Sequence, residues 1–240
     1  MKLSNNKILI TGGATGIGLG LAERFIQEGN TVIICGRREA ALKNAAARLP
    51  SLITRVCDLA DEKSRVALYK WVSDTHPDLN VLINNAGIQN WVKASDNDFY
   101  EKTRGEIEIN VTAPLHLTNL FLELKSLNTI MNVTSGLAFV PLAKVPVYCA
   151  TKAFLRSFTL SLRYSLKGSG VEVVEIIPPA LNTDLGGEGL HNDFPPVSEF
   201  IQSIFEQLKE GRTELTFSTS EGRLKANNET ILGYFNRMNP

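Results

Sequence analysis

The stretch that decides the fold of this chain is Lys7–Gly18, which reads KILITGGATGIG. It opens with an apolar run that is too short for a helix and rich in isoleucine, so it predicts a buried β-strand. Three glycines follow in the spacing G-x3-G-x-G, and an amphipathic helical pattern starts among them. Glycines permit a tight turn in which the backbone approaches a pyrophosphate, and the amides at the helix start hold the anion. The alternative, an ordinary glycine-rich turn, is less favoured because this turn lies at the first strand–helix junction.

Outward from this turn, short apolar runs alternate with longer amphipathic runs. The apolar runs predict seven strands, at Lys7–Thr11, Thr31–Cys35, Leu52–Cys57, Asn80–Asn84, Thr129–Thr134, Val171–Ile177 and Glu214–Phe217. The amphipathic runs predict helices at Gly16–Glu28, Glu39–Leu49, Glu62–Thr75, Phe99–Leu124, Val147–Lys167 and Val197–Lys209. Apolar strands that alternate with helices are typical of a parallel sheet covered on both faces. We therefore predict an α/β fold: a Rossmann-type doubly wound parallel sheet of about seven strands, in a single domain over residues 1–240.

The composition argues against several other classes of protein. Lysine plus arginine number 25 and aspartate plus glutamate number 25, so the formal net charge is zero. This balance argues against nucleic acid or an anionic membrane as the main partner, and no apolar stretch approaches the length of a membrane span. The cysteines contain no Cys-x-x-Cys pair and the histidines are scattered, so we expect no metal site and a reducing, cytoplasmic location.

In a doubly wound sheet, ligands bind beyond the carboxyl ends of the strands, so the residues after each strand form the candidate site. After the second strand, Arg37 and Arg38 suit the 2′-phosphate of NADP; the alternative is that both are simply solvated. After the third strand, Asp58 is placed either to contact an adenine or to cap a helix. After the fourth strand, the small residues of Asn84–Gly87 let a ribose or nicotinamide approach the backbone, unless the asparagines only stabilise their own turn.

The fifth predicted strand ends beside Ser135, and Tyr148 and Lys152 follow on a predicted helix. Residues at i and i+4 share one helix face, so the lysine ammonium would lie near the phenol. A nearby positive charge favours the phenolate, so we expect Lys152 to lower the pKa of Tyr148 and make it a general acid/base. Ser135 would hydrogen-bond a substrate carbonyl oxygen as charge develops on it. Taken alone, Tyr-x3-Lys is a weak motif that occurs by chance in many helices.

Together these motifs resemble the short-chain dehydrogenase/reductase family over roughly residues 7–185. The resemblance is carried by the first glycine-rich turn, Asp58, Asn84–Gly87, Asn110, Ser135, Tyr148, Lys152 and Thr183. The sequences VTSGLA at 133–138 and PVYCATKA at 146–153 further resemble those of small bacterial reductases found with teichoic-acid D-alanylation genes. Two departures stand out: Pro179 replaces the usual glycine after the sixth strand, and the glycine-rich C-terminal strand of many tetrameric members is absent.

The resemblance implies a role for each matched residue. It implies that the catalytic residues are Asn110, Ser135, Tyr148 and Lys152. It implies that the cofactor contacts are Gly12, Thr15, Gly16, Ile17, Gly18, Arg37, Arg38, Asp58, Leu59, Asn85, Ala86, Gly87, Tyr148, Lys152, Pro178, Leu181 and Thr183. Ser135, Leu137 and Tyr148 would contact the substrate, and residues of about 184–197 would form a lid over it.

The activity that the resemblance implies is hydride transfer between NADP(H), preferred over NAD(H), and a small ketone, aldehyde or secondary alcohol. The arrangement would be a homodimer or homotetramer. The alternative function is a non-catalytic NADP(H)-binding sensor of the same fold, although sensors of this kind commonly lose the tyrosine or the lysine.

Pro114 adds a physical point about Asn110. In a continuous α-helix the amide at position 114 would bond the carbonyl of Asn110, and proline has no amide hydrogen. We predict that this carbonyl binds a water that relays protons towards Lys152. The alternative is a simple kink in the helix.

Overall fold

The computed structural model of the chain describes residues 2–239. Its seven strands form one sheet in the order β3-β2-β1-β4-β5-β6-β7, and every neighbouring pair is parallel. The strands are β1 Lys7–Thr11, β2 Thr31–Gly36, β3 Ile53–Val56, β4 Val81–Asn84, β5 Thr129–Val133, β6 Glu172–Ile177 and β7 Glu214–Thr216. The predicted doubly wound α/β fold is confirmed.

Helices cover both faces of this sheet. They are α1 Gly16–Gln27, α2 Glu39–Arg48, α3 Glu62–Thr75, α4 Phe99–Ile107, α5 Ala113–Phe121, α6 Pro146–Ser165, α7 Val197–Lys209, α8 Thr219–Leu224 and α9 Asn228–Met238. Phe25 of α1 packs edge-on against Phe205 of α7 on one face, with ring centroids 4.7 Å apart. Tyr69 of α3 packs in the same way against Phe121 of α5 on the other face, at 5.5 Å. The inner strands β1, β4, β5 and β6 are therefore buried on both sides, which is why they read as apolar runs, whereas the edge strand β3 is partly exposed.

The order of the strands places the candidate site. The chain leaves β1 towards β2 on one side and returns to β4 on the other, so Ile8 pairs with both Val32 and Val81. At such a switch in direction the loops after neighbouring strands separate and leave a crevice at the carboxyl edge of the sheet. The residues predicted to bind a ligand follow these strand ends.

One predicted helix is wrong as a single element. The Phe99–Leu124 pattern is divided into α4, a π-helical segment at Glu108–Thr112 and α5. The amide of Ala113 bonds the carbonyl of Glu108, five residues back, and Pro114 has no amide to restore the α-helical pattern. Short π-helical segments are frequent at functional sites, and this one contains Asn110.

The C-terminal helices α8 and α9 were not predicted. No residue of α9 is fully buried, so packing into the core gives this helix little support. The helix instead begins with a capping box in which Asn227 and Thr230 bond each other's amides. Within residues 2–239, none of the helices has the length and apolar character needed to cross a lipid bilayer.

Two buried thiols meet where β2 and β3 end. Cys35 lies in β2 and Cys57 directly follows β3, with the Cys57 amide bonded to the Gly36 carbonyl at 3.0 Å. Hydrogen bonding with Cys35 lowers the pKa of Cys57 to about 7, while the same contact and burial raise the pKa of Cys35. The third cysteine, Cys149, is also buried and free.

Candidate active site

The glycine-rich turn after β1 is packed so tightly that side chains do not fit. Gly12 adopts φ +63°, and a Cβ there would lie 2.9 Å from the Cα of Ala86. A Cβ on Gly18 would lie 2.5 Å from the carbonyl oxygen of Gly12. The hydroxyl oxygen of Thr11 accepts the amides of Asn85 and Ala86 at 3.0 Å each, so the turns after β1 and β4 are held together.

The helix that follows this turn presents a free N-terminus. Its N-cap, Thr15, is exposed and makes no side-chain capping bond, and the first turn of α1 has no acidic residue. A Cβ on Gly16 would lie 3.5 Å from the Thr183 methyl carbon, which places the segment after β6 beside the turn. We call the turn formed by Gly12, Gly16 and Gly18 the glycine cradle. The free amides of the helix start beside it fit the pyrophosphate of a dinucleotide.

Arg37 and Arg38 lie exposed at the end of β2. Arg38 is the N-cap of α2 but makes no capping bond through its side chain. Across residues 2–239 neither guanidinium has an ion-pair partner, whereas the nearby Glu39 pairs with Lys43. Both arginines are therefore free to bind an added anion at this strand end.

Asp58 does not cap a helix, so that alternative is wrong. The N-cap of α3 is Asp61, whose carboxylate accepts the amides of Lys63 and Ser64. Asp58 instead accepts the amide of Ala60 at 3.0 Å in a local turn. The next residue, Leu59, is buried at the same edge of the sheet.

The two asparagines at the end of β4, Asn84 and Asn85, form side-chain hydrogen bonds with other elements rather than within their own turn. Asn84 donates to the side chains of Asn132 at 2.9 Å and Thr118 at 3.2 Å. Asn85 donates to the carbonyls of Thr11 and Gly12. A Cβ on Gly87 would lie 3.4 Å from both the Asn110 amide oxygen and the Lys152 Nζ, so the backbone passes directly over these two side chains.

Ser135, Tyr148 and Lys152 are buried at the carboxyl edge of the sheet. The Ser135 hydroxyl accepts the amide of Leu137 at 3.0 Å, which fixes it at the start of a 3₁₀ turn, Gly136–Ala138. The Lys152 ammonium donates to the Val133 carbonyl at 2.8 Å and lies 5.6 Å from the centroid of the Tyr148 ring. The structure thus brings together the serine, tyrosine and lysine that the sequence singled out.

The expected lowering of the Tyr148 pKa by Lys152 is not what the structure shows. Burial raises the pKa of Tyr148 well above its usual value, and hydrogen bonding with Ser135 only partly opposes this. Burial also lowers the pKa of Lys152, to about 8. Desolvation is therefore the largest influence on the pKa of both Tyr148 and Lys152. The Lys152 ammonium donates its hydrogen bond to a main-chain carbonyl and not to the phenol.

Asn110 joins the π-helical segment to two neighbouring elements. Its side-chain oxygen accepts the Ile88 amide at 2.9 Å, and its nitrogen donates to the Ile88 carbonyl at 2.8 Å and the Thr151 hydroxyl at 3.1 Å. The side chain is thus fully used in positioning the loop after β4 against α6. The water predicted at the Asn110 carbonyl stays a prediction.

A family model described as short chain dehydrogenase matches residues 6–192.

The chain belongs to the short-chain dehydrogenase/reductase family.

Among its relatives, the oxidoreductase DltE of Bacillus subtilis is 46% identical over 100% of this chain and 98% of the relative. This likeness confirms the finer resemblance to the small reductases found with teichoic-acid D-alanylation genes. Serine 3-dehydrogenase of Agrobacterium fabrum is 34% identical, over 74% of this chain and 72% of its own length. Sulfoacetaldehyde reductase 2 of Chromohalobacter salexigens is 30% identical, over 74% of this chain and 73% of its own length.

Solved structures share the fold. A short-chain dehydrogenase from Burkholderia cenocepacia in complex with NADP has a TM-score of 0.83 at 22% identity, over 98% of this chain and 99% of that one. A short-chain dehydrogenase/reductase from Burkholderia phymatum in complex with NAD has a TM-score of 0.78 at 18% identity, over 98% of this chain and 93% of that one. This short-chain dehydrogenase is accordingly a nicotinamide-dependent oxidoreductase that acts on CH–OH groups.

The segment after β6 closes one side of the site in this short-chain dehydrogenase. The Pro178 carbonyl accepts the Gly136 amide at 2.9 Å, so the unusual Pro178-Pro179 pair still ties this segment to the turn after Ser135. Leu181 is buried, and Asn182 forms a bridge with Pro196 that closes residues 183–195 into a loop.

This loop returns over the end of the sheet. A Cβ on Gly186 would lie 3.0 Å from the indole nitrogen of Trp91. Trp91 therefore contacts the loop and is not packed only within its own segment, although 41% of its surface stays exposed. On the inner side, Leu137, Leu142 and Leu185 pack on Tyr148 and Cys149 and form an apolar wall.

Two buried or half-buried charges near the site were missed by sequence reasoning. Glu106 is completely buried; one carboxylate oxygen accepts the Asn90 side chain at 3.2 Å, and the other has no partner within residues 2–239. Burial raises the pKa of Glu106 to about 7. Its position four residues before Asn110 is a signal that the sequence does carry. Arg223, on α8, lies against Gly136, and nothing in the sequence connects it to Ser135.

Proposed function

We propose that this enzyme is an NADPH-dependent carbonyl reductase that also runs in reverse as a secondary alcohol dehydrogenase. The reaction converts a carbonyl compound, NADPH and a proton into an alcohol and NADP⁺. One observation carries the proposal: Ser135, Tyr148 and Lys152 are buried together beside a glycine cradle that fits a dinucleotide. A buried acid/base next to a nucleotide site suits the reduction of a carbonyl, because the hydride must reach the carbonyl carbon while the proton reaches the carbonyl oxygen.

The residues around the cradle would hold the cofactor. Its diphosphate would bind the turn and helix start formed by Gly12, Thr15, Gly16, Ile17 and Gly18. Asp58 and Leu59 would border the adenine, and Asn85, Ala86, Gly87, Pro178, Leu181 and Thr183 the ribose and nicotinamide. Bound there, the nicotinamide supplies or accepts the hydride.

The preference for NADP(H) over NAD(H) is supported by Arg37 and Arg38. Both guanidiniums are exposed at the end of β2 and lack ion-pair partners within residues 2–239. A phosphate is bound well by a guanidinium, which offers two parallel donors and a fixed charge. The end of β2, at Gly36-Arg37-Arg38, carries no carboxylate that would repel the extra phosphate.

The protein's own groups would then handle the proton. Tyr148, kept protonated by its buried position, would donate its hydroxyl proton to the carbonyl oxygen during reduction, a contribution of about 10²–10⁴-fold. Ser135 would orient that oxygen through its hydroxyl. Lys152 would leave the Val133 carbonyl to bind a ribose hydroxyl, and Asn110 would keep the loop over it in place.

The substrate class follows from the walls of the site and from the relatives. Leu137 and Leu185 give an apolar surface beside Tyr148, so the substrate would be a small ketone, aldehyde or alcohol. Serine and sulfoacetaldehyde, for which two relatives are named, both have an acidic group one carbon away from the reacting carbon. The segment of about 184–197 would act as the lid, within a single domain.

The proposed assembly is a homodimer or homotetramer in the cytoplasm. The outer side of α6 supports it, since Phe154, Leu160 and Tyr164 are exposed there. Large apolar side chains grouped on a surface are typical of protein–protein contacts. Light scattering of the purified chain would test this.

Turnover with Tyr148→Phe tests the function itself. With NADPH and a panel of small ketones and aldehydes, we expect the wild type to oxidise NADPH, and the phenylalanine variant to be slower by about 10³-fold. NADPH binding, followed by fluorescence, should stay within threefold because the ring remains in place. Binding without turnover on any carbonyl would instead support the sensor, which the intact Ser135, Tyr148 and Lys152 do not favour.

A further inference from the structure

Arg223 is a cation held next to the turn that carries Ser135. Its side chain reaches from α8 to the 3₁₀ turn, where a Cβ on Gly136 would lie 3.1 Å from Nη1 and 3.3 Å from Cδ of the arginine. Burial raises the pKa of the Cys149 thiol, and the charge of Arg223 acts on that thiol in the opposite direction. The guanidinium therefore lies at the edge of the apolar wall formed around Tyr148 and Cys149.

This guanidinium has no partner, unlike comparable arginines in the chain. The other arginines that are at least partly buried all face a carboxylate within 4 Å: Arg24 with Glu28, Arg65 with Glu108, Arg156 with Glu175 and Glu214, and Arg163 with Glu214. Across residues 2–239, the side chain of Arg223 has neither an ion pair nor a hydrogen bond. The residue is half-buried, and this burial lowers the pKa of Arg223.

A half-buried guanidinium without a counter-ion is unfavourable for stability. The fold nevertheless holds it against Gly136, where the missing side chain gives it room. Such a group is explained if an anion arrives from outside the chain.

We propose that Arg223 binds the acidic group of the substrate, so that this enzyme acts on small oxo and hydroxy acids. The inference rests on the function proposed above. The acidic group would be a carboxylate or sulfonate near the reacting carbon, held by the two-pronged guanidinium while Ser135 and Tyr148 hold the oxygen. Arg223 thus sets specificity and takes no part in the proton or hydride transfer.

Matched pairs of acid and ester test this role. Acetoacetate and methyl acetoacetate share one ketone and differ in charge, and sulfoacetaldehyde with propanal forms a second pair. With NADPH, we expect the wild type to prefer the charged member of each pair by more than about tenfold in kcat/KM. Arg223→Gln should lower kcat/KM for the charged member by about 30-fold, mainly through KM, and leave the neutral member within about threefold.

Arg237→Gln is the matched control, since Arg237 is an exposed arginine on the neighbouring helix α9. It should leave both members of each pair unchanged. If the glutamine variant of Arg223 fails to bind NADPH, Arg223→Lys decides the question: a loss confined to the charged member supports the role, and equal losses overturn it.

The outcomes separate this inference from the function on which it rests. A wild type that reduces no carbonyl compound overturns both. A wild type that reduces the neutral and the charged members with equal kcat/KM overturns the role of Arg223 and leaves the carbonyl reductase proposal intact. The same holds if Arg223→Gln slows both members in the same ratio.

Discussion

The two halves of the sheet shape their carboxyl edges by different means. In the nucleotide half, β1–β4, main chain meets main chain: Gly12 abuts Ala86, and Gly18 abuts the Gly12 carbonyl. In the other half, β5–β7, where the substrate is proposed to bind, side chains from separate elements come together: Ser135 bonds Tyr148, and Arg223 reaches the turn at Gly136. Main-chain contact needs glycines at fixed spacing and leaves a motif in the sequence. Side-chain contact leaves only isolated residues, so substrate specificity is hard to read without the fold.

Gly18→Ala should have the largest effect of these changes, because it disrupts the glycine-rich turn in the half of the sheet proposed to bind the nucleotide. The added Cβ would lie 2.5 Å from the Gly12 carbonyl oxygen, a main-chain atom that is unable to move aside. We expect the Kd for NADPH to rise by more than about 100-fold, with a stability loss of about 1–3 kcal/mol. Fluorescence titration and thermal unfolding measure the two effects.

Gly105→Ala is the control for this substitution. Gly105 lies in α4, and a Cβ there meets nothing within 4 Å. Alanine at an open helical position should stabilise the protein by about 0.5–1 kcal/mol and leave NADPH binding unchanged. Normal NADPH binding by the Gly18 variant would show that the tight turn does not form the cradle.

Arg37→Asp tests the one place where the nucleotide half depends on a side chain. The change replaces a phosphate partner by a like charge, so the Kd for NADPH should rise by about 10–100-fold. The Kd for NADH should change by less than about threefold, because NADH has no 2′-phosphate. Arg48→Asp, an exposed arginine at the far end of α2, makes the same change in net charge and should affect neither cofactor. Equal losses of NADPH and NADH would contradict the assignment.

Glu106→Gln should give the smallest of these effects, a change in how the free energy of unfolding depends on pH. The pKa of Glu106 is raised to about 7 by burial, above its ordinary value of 4.5. The favourable contribution of the protonated Glu106 is therefore complete below about pH 4.5 and is lost as the pH rises through about 7. The glutamine variant lacks this loss, so at pH 8 it should be more stable than the wild type by about 2 kcal/mol.

Urea unfolding at pH 5 and pH 8 measures this difference. Subtracting the wild-type curve from that of the variant removes the effect of other buried carboxyls such as Glu175. Glu101→Gln, an exposed residue on the same helix, is the control and should leave the pH dependence unchanged. Parallel curves for the wild type and the Glu106 variant would show that this carboxyl stays ionised in the fold.

What the sequence predicts well is what depends on local pattern. The strands were found because each is an apolar run, and the bounds of Glu62–Thr75 and Val197–Lys209 were right because an acidic N-terminal turn or a proline marks where each begins. Ser135, Tyr148 and Lys152 were found because their spacing is short and their strand end is recognisable.

What it misses depends on packing across the chain. Apolar spacing does not distinguish a bond to the fourth residue back from one to the fifth, so the π-helical segment at Glu108–Thr112 was read as α-helix. The raised pKa of Tyr148 comes from burial, which the spacing of the tyrosine and the lysine does not reveal. Arg223 reaches Gly136 only because α8 folds back from β7.

The buried thiols of Cys35 and Cys57 make this chain a reporter of its own local opening. A thiol-labelling reagent reaches them only when the edge formed by β2 and β3 separates, because both side chains are buried in the closed fold. Because both thiols lie beside Gly36 and Arg37, a nucleotide bound there would slow the labelling. The rate of that reaction would therefore measure occupancy of the nucleotide half without any turnover, while Cys149 would report independently on the substrate half.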